Sequence, residues 1–389
     1  MNTTQRTAMI LTVAATAAAQ TVVVGTGNPN IDIPAVQNAV DKTGSIVLKG
    51  RFSFRGTPLM RGRLPELTAN VLVSKSVDIS GTFDDRGEMT TIEGGEIPLA
   101  VEAPGSQVRI ERLRFTNPKG YAILVTAAAG IAVESCAIEG VRVLSRRDSP
   151  AGIGYSAGIY VASLFGLPDR DRPGEPANFS GRISIVDNSV TLGGSPAADS
   201  EDSLGIVVVS AGTSEKPVDV DISSNTIRNA TKKGITVKQI GGRARIERNV
   251  VTSNVLYTGH SPKSLIAGIH CGGTGVYRIA HNRIDYADPD AAGIRLRAMP
   301  GMNAAVEGAT LTDNDVTMSV PEGVAVGNAS AGIIIQGLAR DNVVERNRIQ
   351  GRARIALSAE EDKGGTPEGT AFRQNDSAHL IAPAPNRGR

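Results

Sequence analysis

Apolar residues in this chain alternate with polar or small ones over short runs bounded by Gly, Asn and Pro. Period two over such short stretches predicts β-strands rather than helices. Two frames recur. In the first, an apolar residue and two variable residues lead to a small or amide residue. It reads Val133-Glu-Ser-Cys136, Ile185-Val-Asp-Asn188, Ile222-Ser-Ser-Asn225, Ile246-Glu-Arg-Asn249, Ile279-Ala-His-Asn282, Leu311-Thr-Asp-Asn314, Val344-Glu-Arg-Asn347 and Phe372-Arg-Gln-Asn375, with Ile110-Glu-Arg-Leu113 in the same frame earlier. The second alternates with it: Gly158-Ile-Tyr-Val161, Gly205-Ile-Val-Val208, Gly234-Ile-Thr-Val237, Gly268-Ile-His-Cys271, Gly293-Ile-Arg-Leu296 and Gly332-Ile-Ile-Ile335. From Asn225 to Asn375 the amides fall 24, 33, 32, 33 and 28 residues apart. A helical solenoid would keep a fixed period and 3.6-residue spacing. Short strands recurring once per turn, with insertions of differing length between them, predict an all-β chain wound as a right-handed, single-stranded parallel β-helix. The one helical pattern, Pro34-Ala-Val-Gln-Asn-Ala-Val40 after Asp32, predicts a short N-terminal capping helix over about Pro34–Asp41.

In such a solenoid the recurring Asn sits at a turn, where its amide can bond the equivalent turns of neighbouring coils. The Asn ladder is therefore assigned to structure. Equivalent positions on successive coils also stack into columns about 4.8 Å apart. On the Asn-bearing strand the outward columns read Glu111, Glu134, Glu247, Glu345 and Asp221, Arg245, Arg278, a mixture of signs expected of a solvated, self-neutralising face.

The stretch Gly27-Asn-Pro-Asn-Ile-Asp-Ile-Pro-Ala-Val-Gln-Asn-Ala-Val40, followed by Gly44-Ser-Ile-Val-Leu-Lys-Gly50, resembles the N-terminal cap and first coil of the pectin-lyase-like superfamily. Ile79-Ser-Gly-Thr82 and Thr91-Ile-Glu-Gly94 resemble its next turn. The resemblance covers about residues 21–381 and implies the fold. It implies no single function, because such proteins include lyases, hydrolases, esterases, epimerases and inert adhesive fibres. The family's hydrolase signature is missing: Gly259-His260 is a fragment of it, and Asp84-Asp85 lies in a distant early coil. The acidic calcium cluster of the lyases is not recognisable as a motif either. No cofactor is assigned, and a calcium ion is left open as an aid to catalysis. Gly154-Tyr-Ser-Ala-Gly158 matches a nucleophile elbow but opens a strand instead of joining strand to helix, so it reads as a glycine-rich turn.

Composition narrows the partners. Among 389 residues, 41 basic and 39 acidic side chains give a net charge of +2, which lacks the basic excess of a general nucleic-acid binder. There are 7 Phe, 6 Tyr and no Trp to stack bases or neutral sugars, and 2 Cys cannot form a disulfide framework. Arg6 followed by the apolar run from Ala8 to Ala19 predicts a signal peptide over residues 1–20. The run is too short for a stable membrane span, so the expected location is secreted or periplasmic. The mature domain then covers 21–381, and the Pro- and Gly-bearing tail 382–389 reads as disordered.

The Gly-Ile strand carries the candidate chemistry. Its first outward column reads Leu124, Tyr160, Val207, Thr236, His270, Arg295, Ile334, and the next reads Thr126, Ala162, Val209, Lys238, Gly272, Arg297, Gln336. Lys238, His270, Arg295 and Arg297 thus share one surface on three consecutive coils, with Thr236 and Gln336 beside them and no carboxylate in those positions. Such a cluster repels itself unless something anionic sits among its members. In a strand Cys271 points away from His270, so the adjacent pair is not a metal site. Long insertions precede these strands at Val143–Ala157, Gly193–Ser203, Thr252–Ala267 and Asp285–Ala292, carrying Asp199, Glu201, Asp202, His260, Lys263, Asp288 and Asp290. His260, Lys263, Asp288 and Asp290 are expected to help bind substrate at the walls of a shallow groove. The function expected is binding of an acidic, uronate-containing polysaccharide. Cleavage by β-elimination would use Lys238 or His270 as base and Arg295 or Arg297 against the carboxylate. The alternatives are a non-catalytic exported scaffold or adhesin, and a glycoside hydrolase using Asp202, Asp288 and Asp290.

Overall fold

The computed structural model describes residues 20–56, 60–61, 68–142, 156–163, 179–193, 203–257, 265–298, 305–362 and 365–381. The predicted signal peptide and tail, apart from Gln20, lie outside them. The chain winds as a right-handed parallel β-helix with three faces. One coil shows the plan: Lys233–Lys238 on the Gly-Ile face, Gly241–Glu247 on the Asn-bearing face, a corner at Asn249, then Val250–Ser253 on the third face. The chain next enters Ala267–Gly272, which pairs in parallel with Lys233–Lys238. In two early coils a single long strand, Leu99–Glu111 or Tyr121–Glu134, crosses from the first face to the second, with register shifts at the bend. The third face is an eleven-stranded sheet running from Arg51–Ser53 to Asp376–Ile381.

Alternate side chains fill the prism. Ile159, Ile206, Ile235, Ile269, Ile294 and Ile333 stack in register and are fully buried, as are Val161, Val208, Val237, Cys271, Leu296 and Ile335 beside them. The recurring glycine has a steric cause. A Cβ at Gly293 would lie 2.2 Å from Val316 Cγ1 and 2.7 Å from the Gly332 carbonyl, so the strand can approach the third face only without a side chain there.

The ladder forms as expected. Asn249 Oδ1 accepts from the backbone and side-chain nitrogens of Asn225, each at 3.0 Å. Its Nδ2 donates to the Ile222 carbonyl at 2.9 Å and to Asn282 Oδ1 at 3.0 Å. The same pattern repeats from Asn188 to Asn375. The residue before each amide takes a left-handed conformation, as at Ser224 (φ 57°), Arg248 (φ 56°) and His281 (φ 55°). Non-glycine residues enter that region at a cost of about 1 kcal/mol or more, which the amide bonds offset.

Two expectations are corrected. The helix spans Pro29–Lys42 and so begins five residues earlier than predicted, with Asn28 as its N-cap and Pro29 in its first turn. Asp32 is inside the helix and buried. It accepts from Thr26 N, Thr26 Oγ1 and Ser53 N, each at 2.8 Å, and so ties the cap to the first coils. Ile33, Val36, Ala39 and Val40 close the N-terminal end of the core. The second correction concerns the Asn-bearing face. It does neutralise itself, but Asp221 and Glu247 are covered by their partners Arg182, Arg245 and Arg278 rather than solvated. No helix among the described residues is long and apolar enough to cross a membrane.

Candidate functional site

Strand register places the predicted columns as the sequence laid them out. Thr236 pairs with His270, His270 with Arg295 and Arg295 with Ile334; Lys238 pairs with Gly272, Gly272 with Arg297 and Arg297 with Gln336. A third outward column lies upstream: Leu204, Lys233, Ala267, Ala292, Ala331. His270 is thus flanked on its own strand by Ala267 and Gly272, both too small to fill the space beside an imidazole. Lys233, Lys238, Arg295 and Arg297 stand on the adjacent coils.

The site is not the open groove expected. His270 has no exposed surface, and Thr236 and Arg295 are 3% and 1% exposed. These three form a floor, while Lys238, Arg297 and Gln336 remain half-buried at its rim. The floor holds unmet hydrogen-bonding capacity: both His270 ring nitrogens, Arg295 Nε and Thr236 Oγ1 are buried without a partner. A buried polar atom left unpaired costs about 1–3 kcal/mol, so four of them side by side require an explanation.

Electrostatics follow from this packing. Burial, reinforced by Lys238, Lys233, Arg295 and Arg297, holds the His270 imidazole well below its ordinary pKa and therefore neutral. Burial and the Arg297 charge lower the Lys238 ammonium to about 8. The same causes lower Arg295 to about 10, where it is still a cation at neutral pH. Arg295 donates to Gln336 Oε1 and, at 3.5 Å, to the Ala329 carbonyl, which orients its guanidinium.

The columns continue one coil beyond those read from the sequence, to Ser358 and Glu360, which brings a carboxylate next to Gln336. Glu360 accepts from Ser358 Oγ at 2.8 Å and from Arg354, and Asp362 beyond it pairs with Arg297 Nε at 2.5 Å. The Gly-Ile-face strand of this coil, Ile355–Glu360, escapes the motif because Ala356 stands where the earlier coils carry glycine, although the pairing continues.

The proposed wall residues divide. His260, Lys263, Asp199, Glu201 and Asp202 lie outside the described residues. Asp288 is buried, and its two oxygens accept the backbone N–H groups of Tyr257 at 2.7 Å and Asp290 at 2.9 Å. It therefore holds its own loop, and Asp290 packs beside Gly327. Among the described residues no three His, Cys, Asp or Glu side chains converge as metal ligands. A calcium ion does not fit the floor, which offers it one hydroxyl oxygen, Thr236 Oγ1, beside an imidazole and a guanidinium cation and no carboxylate. Cys271 faces the core, opposite His270, and burial raises its thiol pKa.

No family model matches the chain, and no curated protein matches its sequence. Solved structures match at low identity. The Streptococcus pneumoniae surface protein and adhesin PfbA is 13% identical over 91% of this chain and 100% of its own, with a TM-score of 0.49. The A-module of the mannuronan C-5 epimerase AlgE6 from Azotobacter vinelandii is 14% identical over 92% and 93%, with a TM-score of 0.36. A mutant DFA-IIIase from Arthrobacter chlorophenolicus A6, in complex with DFA-III, is 12% identical over 94% and 97%, with a TM-score of 0.41. At these identities each is a protein to which this chain is similar, and no family is assigned from them.

Proposed function

We propose that the cationic site binds a uronate-containing polysaccharide outside the cytoplasm and cleaves it by β-elimination. The observation that carries this reading is the buried set of unpartnered polar atoms on His270, Arg295 and Thr236 beneath cationic Lys238 and Arg297. One sugar carboxylate entering past the rim would meet Arg295 and Arg297, and a ring hydroxyl would meet His270. Neutralising that carboxylate acidifies the proton on the adjacent carbon, C5. The neutral amine of Lys238 takes this proton, a C4–C5 double bond forms, the C4–O bond breaks, and the leaving oxygen takes a proton from water. A lysine lowered to about 8 supplies free amine near neutral pH, and the rate is expected to rise with pH through that value. The neutral His270 acts as a hydrogen-bonding group.

The test is a titration of the full chain with galacturonan, alginate, heparinoids and neutral glycans, followed by binding and by the ultraviolet absorbance of unsaturated uronate products. Lys238→Met should abolish product while binding persists, and Arg297→Gln should weaken binding at least tenfold. Binding confined to neutral glycans, or none at all, overturns the reading in favour of an exported scaffold. Binding that these substitutions leave unchanged overturns the site assignment.

A further inference from the structure

We propose a second anion subsite for the same polymer, in a cavity of about 430 Å³ near the N-terminal coils, lined by Arg55, Gly94, Gly95, Glu96, Lys119 and Arg142. The cavity lies at the corner where the third face hands the chain on to the Gly-Ile face. Backbone bonds fix it: Lys119 N donates to the Gly95 carbonyl at 2.7 Å, Arg142 N to the Pro118 carbonyl at 2.9 Å and Gly120 N to the Arg142 carbonyl at 3.1 Å. Lys119 and Arg142 therefore stack on successive coils. Gly94 and Gly95 both hold positive φ, 77° and 90°, and side chains there would strike Arg55 Cγ at 2.7 Å and Asn70 Oδ1 at 2.6 Å. The wall is thus bare backbone by necessity.

The charge on this cavity is unbalanced. Arg55 pairs with Glu93, which leaves Glu96 against Lys119 and Arg142. Neither of these two cations has a hydrogen bond or ion pair from its side chain among the described residues. Two cations without a partner among the described residues, over a concave glycine backbone, suit an acidic sugar, whose carboxylate they can pair and whose hydroxyls the backbone can bond.

Position links this cavity to the site around His270. Glu96, Lys119 and Arg142 lead into the Gly-Ile strands Leu99–Glu111, Tyr121–Glu134 and Ser156–Ala162. From Tyr121 the pairing runs to Ala157, Leu204 and Lys233, three coil spacings or about 14 Å along the axis. Val237, next to Lys238, is in register with Val125, six residues past Lys119 along the chain, so one acidic polymer crossing the Gly-Ile face obliquely can engage both. The shared ligand rests on the function proposed above, whereas the cavity's own anion binding does not.

Lysine footprinting of the full chain separates the two. Acetic anhydride labelling is read by mass spectrometry with and without a decameric galacturonate, and exposed Lys216 serves as the internal control. Protection of both Lys119 and Lys238 by at least threefold, with Lys216 unchanged, is the expected result. The Lys119→Ala/Arg142→Ala chain should then bind the decamer at least tenfold more weakly while keeping Lys238 protected. Protection of Lys238 alone overturns the second subsite. Protection of Lys119 alone upholds it and overturns the function proposed for the His270 site. Protection of neither overturns both.

Discussion

Replacing Asn249 by leucine keeps the shape of the side chain and removes its chemistry. Four side-chain hydrogen bonds disappear, two accepted from Asn225 and two donated to Ile222 and Asn282. Not all are equal losses. Asn225 Nδ2 retains the carbonyls of Ile185 and Ser223, and Asn282 Oδ1 still accepts from the backbone of residue 249. The Asn225 backbone N–H has no other bond among those described, and Asn225 is fully buried. One orphaned donor at about 1–3 kcal/mol, with the lesser bonds at about 1 kcal/mol or below, gives an expected loss of about 3 kcal/mol. Asn375 ends the ladder and is only half-buried, so water can replace it, and Asn375→Leu should cost about 1 kcal/mol. Urea denaturation followed by circular dichroism compares the two variants. Equal midpoints for Asn249→Leu and Asn375→Leu would refute the argument that burial of the orphaned N–H sets the cost.

Lys238 titrates at about 8 in the folded chain and near 10 when unfolded, so between these values the unfolded chain holds the extra proton and thermal stability should rise with pH, a rise that Lys238→Met flattens. His270 works in the opposite range: its folded pKa lies well below its unfolded one, so stability should fall as pH drops below about 6.5, and His270→Gln should lessen that fall in the same melting series. Gly293→Ala should cost about 2 kcal/mol in urea denaturation through overpacking against Val316, whereas Gly44→Ala, with nothing within 4 Å, should cost under about 0.5 kcal/mol. Asp32→Ala should lose about 3 kcal/mol by the same measure, since three donors lose a common buried acceptor.

The fold was legible because its signals are local and repeated. Gly-Ile and Asn recur wherever a strand must approach the third face or a corner must bond its neighbours, and the register read from those motifs is the register found from Leu124 to Ile334. The placement of Thr236, His270 and Arg295 on adjacent coils was legible for the same reason, since it follows from column arithmetic. Their burial was not. Whether an outward side chain is covered depends on segments that do not share the repeat, and period two says nothing about them. The helix starts earlier than its apolar spacing, which begins at Pro34, because Asn28 and Pro29 set the cap, and Asp32 inside the helix gives its carboxylate to Thr26 and Ser53. Lys119 and Arg142 carried no motif at all; turns of unequal length bring them to one corner.

The bonds between coils run along the axis of the solenoid, and this sets how the molecule yields to force. A load applied between its two ends does not shear a sheet whose hydrogen bonds share the strain. It opens one coil at a time, each held only by its neighbour, like a coiled spring pulled out from its end. Among the described coils, the one through Ile355, Ala356 and Leu357 is only partly covered and is expected to yield early. Each later step down to Asn188 then frees the chain between successive ladder residues, 24 to 37 residues. At about 3.5 Å per residue that is a lengthening of about 85–130 Å per rupture, an irregular staircase whose step sizes report the insertion carried by each coil.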